Sequence, residues 1–225
     1  MIINKEQLKG LFIQFAYSNL KYERDFEEIE LEQVQNVFND NKDTDSDTIE
    51  NIMIAIQNHK ALYNNFEDIC NRYNKELSIE LIKEIHRILM KNLYRQRFEC
   101  ADDKPGEFKK QDYVVGLFNI GAKAEEVEKK MQELCDEINT VEIKKDNVYK
   151  VTAYLHNWIC AIHAFADGNG IVARFLINYL LLSYEFSPVI FGVARKEISN
   201  YISILEKFDD TQEILEMAKF IESYN

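Results

Sequence analysis

The sequence predicts an all-α protein, a helical bundle, and three observations support this. Its 225 residues include only 7 glycines and 2 prolines, so few positions interrupt a helix. Apolar residues recur at spacings of three and four along most of the chain, which is the period of an α-helix. Hydrophobic residues make up 46% of the chain, enough for a packed core.

Charge and cysteine content narrow the classes of function. The formal net charge of -12 repels phosphate-rich polymers, so we expect no nucleic-acid partner. Cys70, Cys100, Cys135 and Cys160 show no metal-binding spacing and are typical of reduced thiols. The N-terminus has no apolar signal core, and no apolar run reaches membrane-spanning length. We expect a cytoplasmic protein without a membrane partner.

Helical stripes begin near the N-terminus. Residues 8–15 carry the first stripe and residues 34–38 the second. Residues 39–48 are rich in Asp and Asn and predict a loop, after which a third helix carries apolar residues from 49 to 63. This pattern predicts an N-terminal helical segment over residues 1–65 and a second domain over residues 66–225.

The middle of the chain contains the only strong strand signal. Ser78 precedes a fourth apolar stripe at residues 81–89 and is expected to cap that helix. Residues 95–121 then hold three of the seven glycines and one proline. Within them, residues 113–115 (Tyr-Val-Val) favour a strand, and we predict a short β-hairpin.

Helical periodicity returns for the rest of the chain. Apolar positions predict helices over residues 127–138 and 151–162. Residues 171–184 are apolar on nearly every side, which is typical of a central, buried helix. Two amphipathic helices, over residues 198–208 and 212–221, follow.

The most informative stretch is His163-Ala164-Phe165-Ala166-Asp167-Gly168-Asn169-Gly170-Ile171-Val172-Ala173-Arg174. A helix is predicted to end near His163, and a glycine-rich loop leads into the buried helix that begins near Ile171. The first backbone N–H groups of a helix lack partners within that helix, so they form an anion site. Glycines let the backbone approach a phosphate closely.

Three side chains add chemistry to this loop. The imidazole of His163 suits a general base near neutral pH. Asp167 brings a carboxylate to the loop, where it can hold Mg²⁺. Arg174 follows one turn into the helix and can bind a phosphate bidentately. The stretch therefore predicts a site for a phosphate ligand and a proton-accepting group.

This stretch resembles the signature HxFx(D/E)GNGRxxR of the Fic (filamentation induced by cAMP) domain family. It matches at His163, Phe165, Asp167, Gly168, Asn169, Gly170 and Arg174, and it departs where Ile171 replaces the first arginine. Flanking segments also resemble the family: His156 and Trp158 before the motif, and a late pair, Arg195 and Tyr201. Residues 106–116 resemble the family's β-hairpin flap, and we refer to them as the flap.

The resemblance implies a protein adenylyltransferase with the helical Fic fold. His163 would deprotonate a Ser, Thr or Tyr hydroxyl of a target protein, which attacks the α-phosphorus of ATP in the presence of Mg²⁺ held by Asp167. The implied nucleotide-binding residues are Asp167, Gly168, Asn169, Gly170, Arg174 and Tyr201. The implied target-binding residues of the flap are Gly106, Tyr113, Val114, Val115 and Gly116. The target and any homo-oligomer stay open.

Ile171 keeps other functions open. It removes a cation from the phosphate site, and such a loss can lower the rate of transfer by orders of magnitude. The alternatives are a weak or inactive nucleotide-binding module that acts by docking a partner, removal of AMP at the same site, and transfer of another phosphate-containing group.

Many members of this family carry an inhibitory helix, (S/T)xxxE(G/N), whose glutamate pairs with the second motif arginine. Two candidates exist in this chain. Glu23 matches by order and flanking residues, although Asn19 stands at the Ser/Thr position. Glu50 matches the short pattern literally through Ser46 and Asn51. On order and flanks we favour Glu23, with Glu50 as the alternative.

Overall fold

A computed structural model describes residues 4–23, 26–41, 50–93, 102–113 and 121–225. These ranges form nine α-helices and no strand, which confirms the all-α prediction. The helices are α1 (Lys5–Lys21), α2 (Leu31–Phe38), α3 (Glu50–Tyr73), α4 (Ile79–Leu89), α5 (Ala124–Thr140), α6 (Val148–Ile162), α7 (Asn169–Ser183), α8 (Arg195–Thr211) and α9 (Leu215–Glu222).

The centre of the fold is α7. Thirteen of its fifteen residues are buried, because α6 packs along it and α1 and α4 also contact it. This confirms the prediction of a central helix from its apolar character on all sides. Burying a large apolar side chain contributes roughly 1.5–3 kcal/mol, so α7 anchors the bundle and gives its first turn a fixed position.

The N-terminal helices share this core. The ring of Phe12 in α1 lies 5.2 Å from Phe66 in α3 and 6.3 Å from Phe175 in α7, between ring centroids. Helix α3 runs without interruption through residues 65 and 66, where we predicted a boundary between two segments. A division at that point would cut a helix, and α1 packs directly against the motif-bearing helix α7.

Lys109 and Ala122 are hydrogen-bonded to the end of α6 and to the loop that follows it. The N–H of Lys109 donates to the carbonyl of Ala164 at 2.9 Å, and the N–H of Ala122 donates to Ile162 at 2.9 Å. Residues 102–113, which include Gly106 and Tyr113, contain no strand. Val114, Val115 and Gly116 lie outside the described residues, so the hairpin stays a prediction.

The predicted signal at the start of α4 has the expected geometry. The hydroxyl of Ser78 accepts a hydrogen bond from the N–H of Leu81 at 3.2 Å, which confirms the predicted N-cap of α4.

Across the ranges that the structure describes, none of the helices has the length and apolar content needed to cross a membrane.

Candidate active site

The loop between α6 and α7 turns twice through left-handed backbone conformations. His163 ends α6 with φ 51° and ψ 59°, and Gly168 precedes α7 with φ 79°. A non-glycine residue with positive φ is uncommon, and such strain is concentrated at functional sites. A Cβ added at Gly168 would lie 2.6 Å from the sulfur of Met90, so glycine is needed there for both shape and space.

Asn169 holds this loop from inside. Its Oδ1 accepts the N–H of Phe165 at 2.9 Å, and its Nδ2 donates to the carbonyl of Phe165 at 2.8 Å. The side chain is buried. In the structure its amide sets the loop's conformation, and the expected contact of Asn169 with a phosphate stays a prediction. Backbone N–H groups at the start of α7 are also suited to an anion.

His86 joins the loop to the flap. Its Nε2 donates to the carbonyl of Asp167 at 2.9 Å, and its Nδ1 accepts the N–H of Gly106 at 2.7 Å. The imidazole stacks on Phe165 with ring centroids 3.7 Å apart. Spacing along the sequence does not indicate these contacts, because they come from segments about 20 and 80 residues away.

His163 is suited to accept a proton. Burial and the nearby charge of Lys109 lower its pKa to about 4, so the imidazole is neutral at neutral pH. Lys109 itself is a buried residue, in the flap segment whose backbone binds Ala164. A neutral imidazole has an acceptor nitrogen, which a general base requires.

Asp167 carries the carboxylate of the loop. Its side chain is half-buried, and Oδ1 accepts the N–H of Gly168 at 2.7 Å. Within the described part of the chain, no group of three or more His, Cys, Asp or Glu side chains could hold a metal ion. Mg²⁺ is commonly held by one or two carboxylates together with phosphate oxygens and water, and Asp167 fits that arrangement.

Arg174 lies almost fully buried beside the first turn of α7. A Cβ added at Gly170 would lie 2.9 Å from Nη1 of Arg174 and 3.4 Å from Oε1 of Glu23. The guanidinium bridges to Glu23, with Nη2 and Oε1 2.5 Å apart. The structure therefore brings together the loop, Arg174 and Glu23. Glu50 is instead an exposed residue at the start of α3.

A buried chain of hydrogen bonds supports Arg174 from the other side. Nη1 donates to the hydroxyl of Tyr201 at 3.1 Å, and that hydroxyl lies 3.0 Å from Nε2 of His156. Nδ1 of His156 lies 3.0 Å from the Oδ1 of Asn157, an acceptor, so Nδ1 carries the proton and Nε2 accepts from Tyr201. Tyr201 thus contacts Arg174, whereas Arg195 is exposed at the start of α8.

Ile171 has its side chain in the hydrophobic core, 3% exposed. Its carbonyl accepts a hydrogen bond from Nδ2 of Asn19 at 3.2 Å. The residue at the position of the first motif arginine therefore packs inside the bundle. Asn19, which departs from the Ser/Thr of the family's inhibitory pattern, contacts Arg174 directly, and His59 contacts Asn19.

Comparison with known proteins gives a consistent picture. The model of the Fic/DOC family matches residues 76–181. A Fido domain-containing protein of Dictyostelium discoideum is 30% identical over 105 residues, which cover 46% of this chain and 73% of that protein. Protein adenylyltransferase fic-1 of Caenorhabditis briggsae is 29% identical over 129 residues, or 57% of this chain. The match spans only 24% of that adenylyltransferase.

Solved structures show the same fold. A Fic domain-containing signaling protein of Bacteroides thetaiotaomicron superposes with a TM-score of 0.77 at 21% identity, over 96% of this chain and 82% of the other. Fic-1 of Caenorhabditis elegans superposes with a TM-score of 0.75 at 17% identity, over 98% of this chain and 67% of the other.

Proposed function

This chain belongs to the Fic/DOC family, and we propose that it is an autoinhibited protein adenylyltransferase, which moves AMP from ATP to a Ser, Thr or Tyr hydroxyl. The observation that carries the proposal is the placement of a neutral His163 and a buried Arg174 on the two sides of one loop, which leads into a helix start suited to an anion. Several relatives are named protein adenylyltransferases, and their matches span about a quarter of their length.

In the proposed reaction, His163 takes the proton of the target hydroxyl. The hydroxyl oxygen then forms a bond to the α-phosphorus of ATP, and the bond from that phosphorus to the β-phosphate bridging oxygen breaks. AMP stays on the target, pyrophosphate leaves, and the proton stays on His163. Charge stabilisation by preorganised donors provides most of the rate enhancement in such reactions.

The phosphates have donors of two kinds at this site. Backbone N–H groups of Asn169 and Gly170 lie at the start of α7, and Arg174 lies against Gly170. Mg²⁺, held by Asp167 and phosphate oxygens, would supply neutralising charge when bound. We propose that the target segment lies along the flap, because an exposed strand edge binds an extended peptide through main-chain hydrogen bonds.

We propose that Glu23 inhibits transfer. A charge-assisted hydrogen bond contributes about 1.5–3 kcal/mol, and the bond from Arg174 to Glu23 must break before the guanidinium can serve a phosphate of ATP. The side chain of Glu23 is 28% exposed, whereas that of Arg174 is 4% exposed. Glu23 is therefore the partner that can leave towards solvent at the smaller cost.

A second function remains a candidate because of Ile171. An isoleucine in the core cannot contact a phosphate as an arginine would, which favours weak transfer or a module that binds nucleotide and docks a partner. These two functions differ in turnover. The docking module would bind ATP without releasing pyrophosphate.

The test is incubation with α-labelled ATP and Mg²⁺, with label on protein and release of pyrophosphate both measured. Wild type, Glu23→Gly, and Glu23→Gly combined with His163→Ala are compared. Loss of a general base lowers transfer by ~10²–10⁴-fold, so label should appear with Glu23→Gly and vanish in the double variant. ATP binding should persist in both. Label that persists without His163 would contradict the mechanism.

A further inference from the structure

Asn19 makes more contacts with Arg174 than Glu23 does. Its Oδ1 accepts from Nε of Arg174 at 2.6 Å, and its backbone carbonyl accepts from Nη2 at 3.2 Å. Glu23 accepts only from Nη2, at 2.5 Å. Asn19 is 1% exposed, while Glu23 lies at the edge of the site. Two of the three bonds from this end of α1 to the arginine therefore come from a buried, neutral residue.

His59 determines how the Asn19 amide is oriented. Nδ1 of His59 lies 2.8 Å from the carbonyl of Ala55, which can only accept, so Nδ1 carries the proton and Nε2 is an acceptor. Nε2 lies 3.2 Å from Nδ2 of Asn19. The remaining N–H of that amide donates to Ile171 at 3.2 Å. A flipped amide would place a donor against the Nε–H donor of Arg174 and an acceptor against the Nε2 acceptor of His59.

We infer that Asn19, braced by His59, is the positioning residue that holds Arg174 against α1, and that it does so without Glu23. The inference rests on the proposed function, since it describes the resting position of the arginine that would serve ATP. A serine or threonine at this position would carry a hydroxyl on Cβ, one bond closer to the backbone, and its single O–H could not donate to both His59 and Ile171. Asparagine supplies both the longer reach and the two amide donors.

Two consequences follow for the resting protein. Removing Glu23 lowers the cost of moving Arg174 but leaves the arginine in place when no nucleotide is bound. Removing the Asn19 amide frees Nε even when Glu23 is intact. Asn19 would thus set the position of the Arg174 guanidinium, and Glu23 would add a charge-dependent bond that holds it there.

The first test observes the Nε–H of Arg174 by ¹H–¹⁵N NMR, assigned through the side-chain carbons. In Glu23→Gly its hydrogen exchange should stay within about threefold of wild type, because the bond to Asn19 remains. In Asn19→Ala or Asn19→Ser it should exchange at least about tenfold faster, with Glu23 present. Comparable acceleration in Glu23→Gly, or unchanged exchange in both Asn19 variants, would overturn the inference.

His59 provides a second, milder variant. His59→Gln keeps a side-chain acceptor and should change the Nε–H exchange less than His59→Leu, which leaves an amide N–H of Asn19 unpaired. If the order is reversed, His59 does not brace Asn19. These measurements need neither ATP nor activity, so they keep their meaning even if no variant transfers AMP and the proposed function fails.

A nucleotide readout separates positioning from general stability. With Glu23→Gly as the reference, adding Asn19→Ala should raise the affinity for ATP relative to ADP by about three- to tenfold, because Arg174 becomes free for the terminal phosphate. A merely structural role would change both affinities in parallel, and that parallel change would count against the inference.

Discussion

Nη2 of Arg174 lies 2.5 Å from Oε1 of Glu23, which joins the end of α1 to the first turns of α7. The two residues are 151 positions apart in sequence. Because α7 is fixed by burial on nearly every side, movement at this contact must come from the side chains or from the end of α1. The contact places a negative charge where the arginine would otherwise face an anion.

Replacing Glu23 by glycine should raise auto-modification more than tenfold. Loss of a charge-assisted bond of about 1.5–3 kcal/mol lowers the cost of moving Arg174 by roughly ten- to a hundredfold. Labelled ATP and Mg²⁺ provide the assay. Glu50→Gly is the matched control, since Glu50 is exposed at the start of α3, and it should leave the rate near that of wild type. The reverse order would identify Glu50 as the inhibitor.

Transfer should depend on Asp167 and on Mg²⁺ together. In the Glu23→Gly background, Asp167→Ala should lower transfer by at least about a hundredfold, because the loop loses the carboxylate that neutralising metal requires. Asp68→Ala removes an exposed carboxylate on α3 and serves as the control. Excess chelator should abolish transfer in Glu23→Gly, and activity that survives it would show that no divalent metal is needed.

Folding stability should fall as pH drops from 6.5 towards 4. Burial lowers the pKa of His59, His86 and His156 to about 4 in the folded protein, whereas an unfolded histidine titrates near its ordinary value of 6.5. Between these values the unfolded chain binds protons that the folded chain does not, so the free energy of unfolding decreases. Each histidine contributes on the order of 2 kcal/mol of this loss at pH 5.

Thermal unfolding measured between pH 7.5 and 4.5 tests this decrease, and NMR titration of the imidazoles identifies its source. His163 should follow the other three, because its pKa is also lowered to about 4. Histidines that titrate near pH 6.5 in the folded protein would refute the explanation.

Gly121 should be needed for the position of His163. Its φ is +64°, and an added Cβ would lie 2.8 Å from both Cβ of His163 and the carbonyl of Ile162. Gly121→Ala should therefore lower stability by about 1–3 kcal/mol and reduce transfer beyond that loss, because the general base is displaced. Denaturant unfolding and the labelling assay measure the two effects.

Gly10→Ala is the matched control for Gly121→Ala. Gly10 lies on the exposed face of α1 with open space around a new Cβ, so alanine should stabilise the protein by about 0.5–1 kcal/mol and leave transfer unchanged. Equal effects of the two substitutions would show that Gly121 has no special relation to His163.

The helical fold and the chemistry of the loop can be predicted from the amino-acid sequence. Three local properties predict helices: the scarcity of glycine and proline, the apolar spacing, and the wholly apolar stretch from 171 to 184. The motif runs from His163 through Asp167 and two glycines to Arg174. Because these residues are neighbours in the chain, their order predicts that their functional groups meet at one turn.

Helix packing places distant residues beside that turn, and the sequence does not identify them. Glu23 and Glu50 carry the same carboxylate, and the choice between them depended on α1 packing against α7 while α3 begins at the surface. The sequence did not indicate the contacts of Asn19, His59 and His86, because these contacts join residues about 20 to 155 positions apart. Hydrogen bonds over such distances in the chain depend on how the helices pack, which periodicity and spacing do not encode.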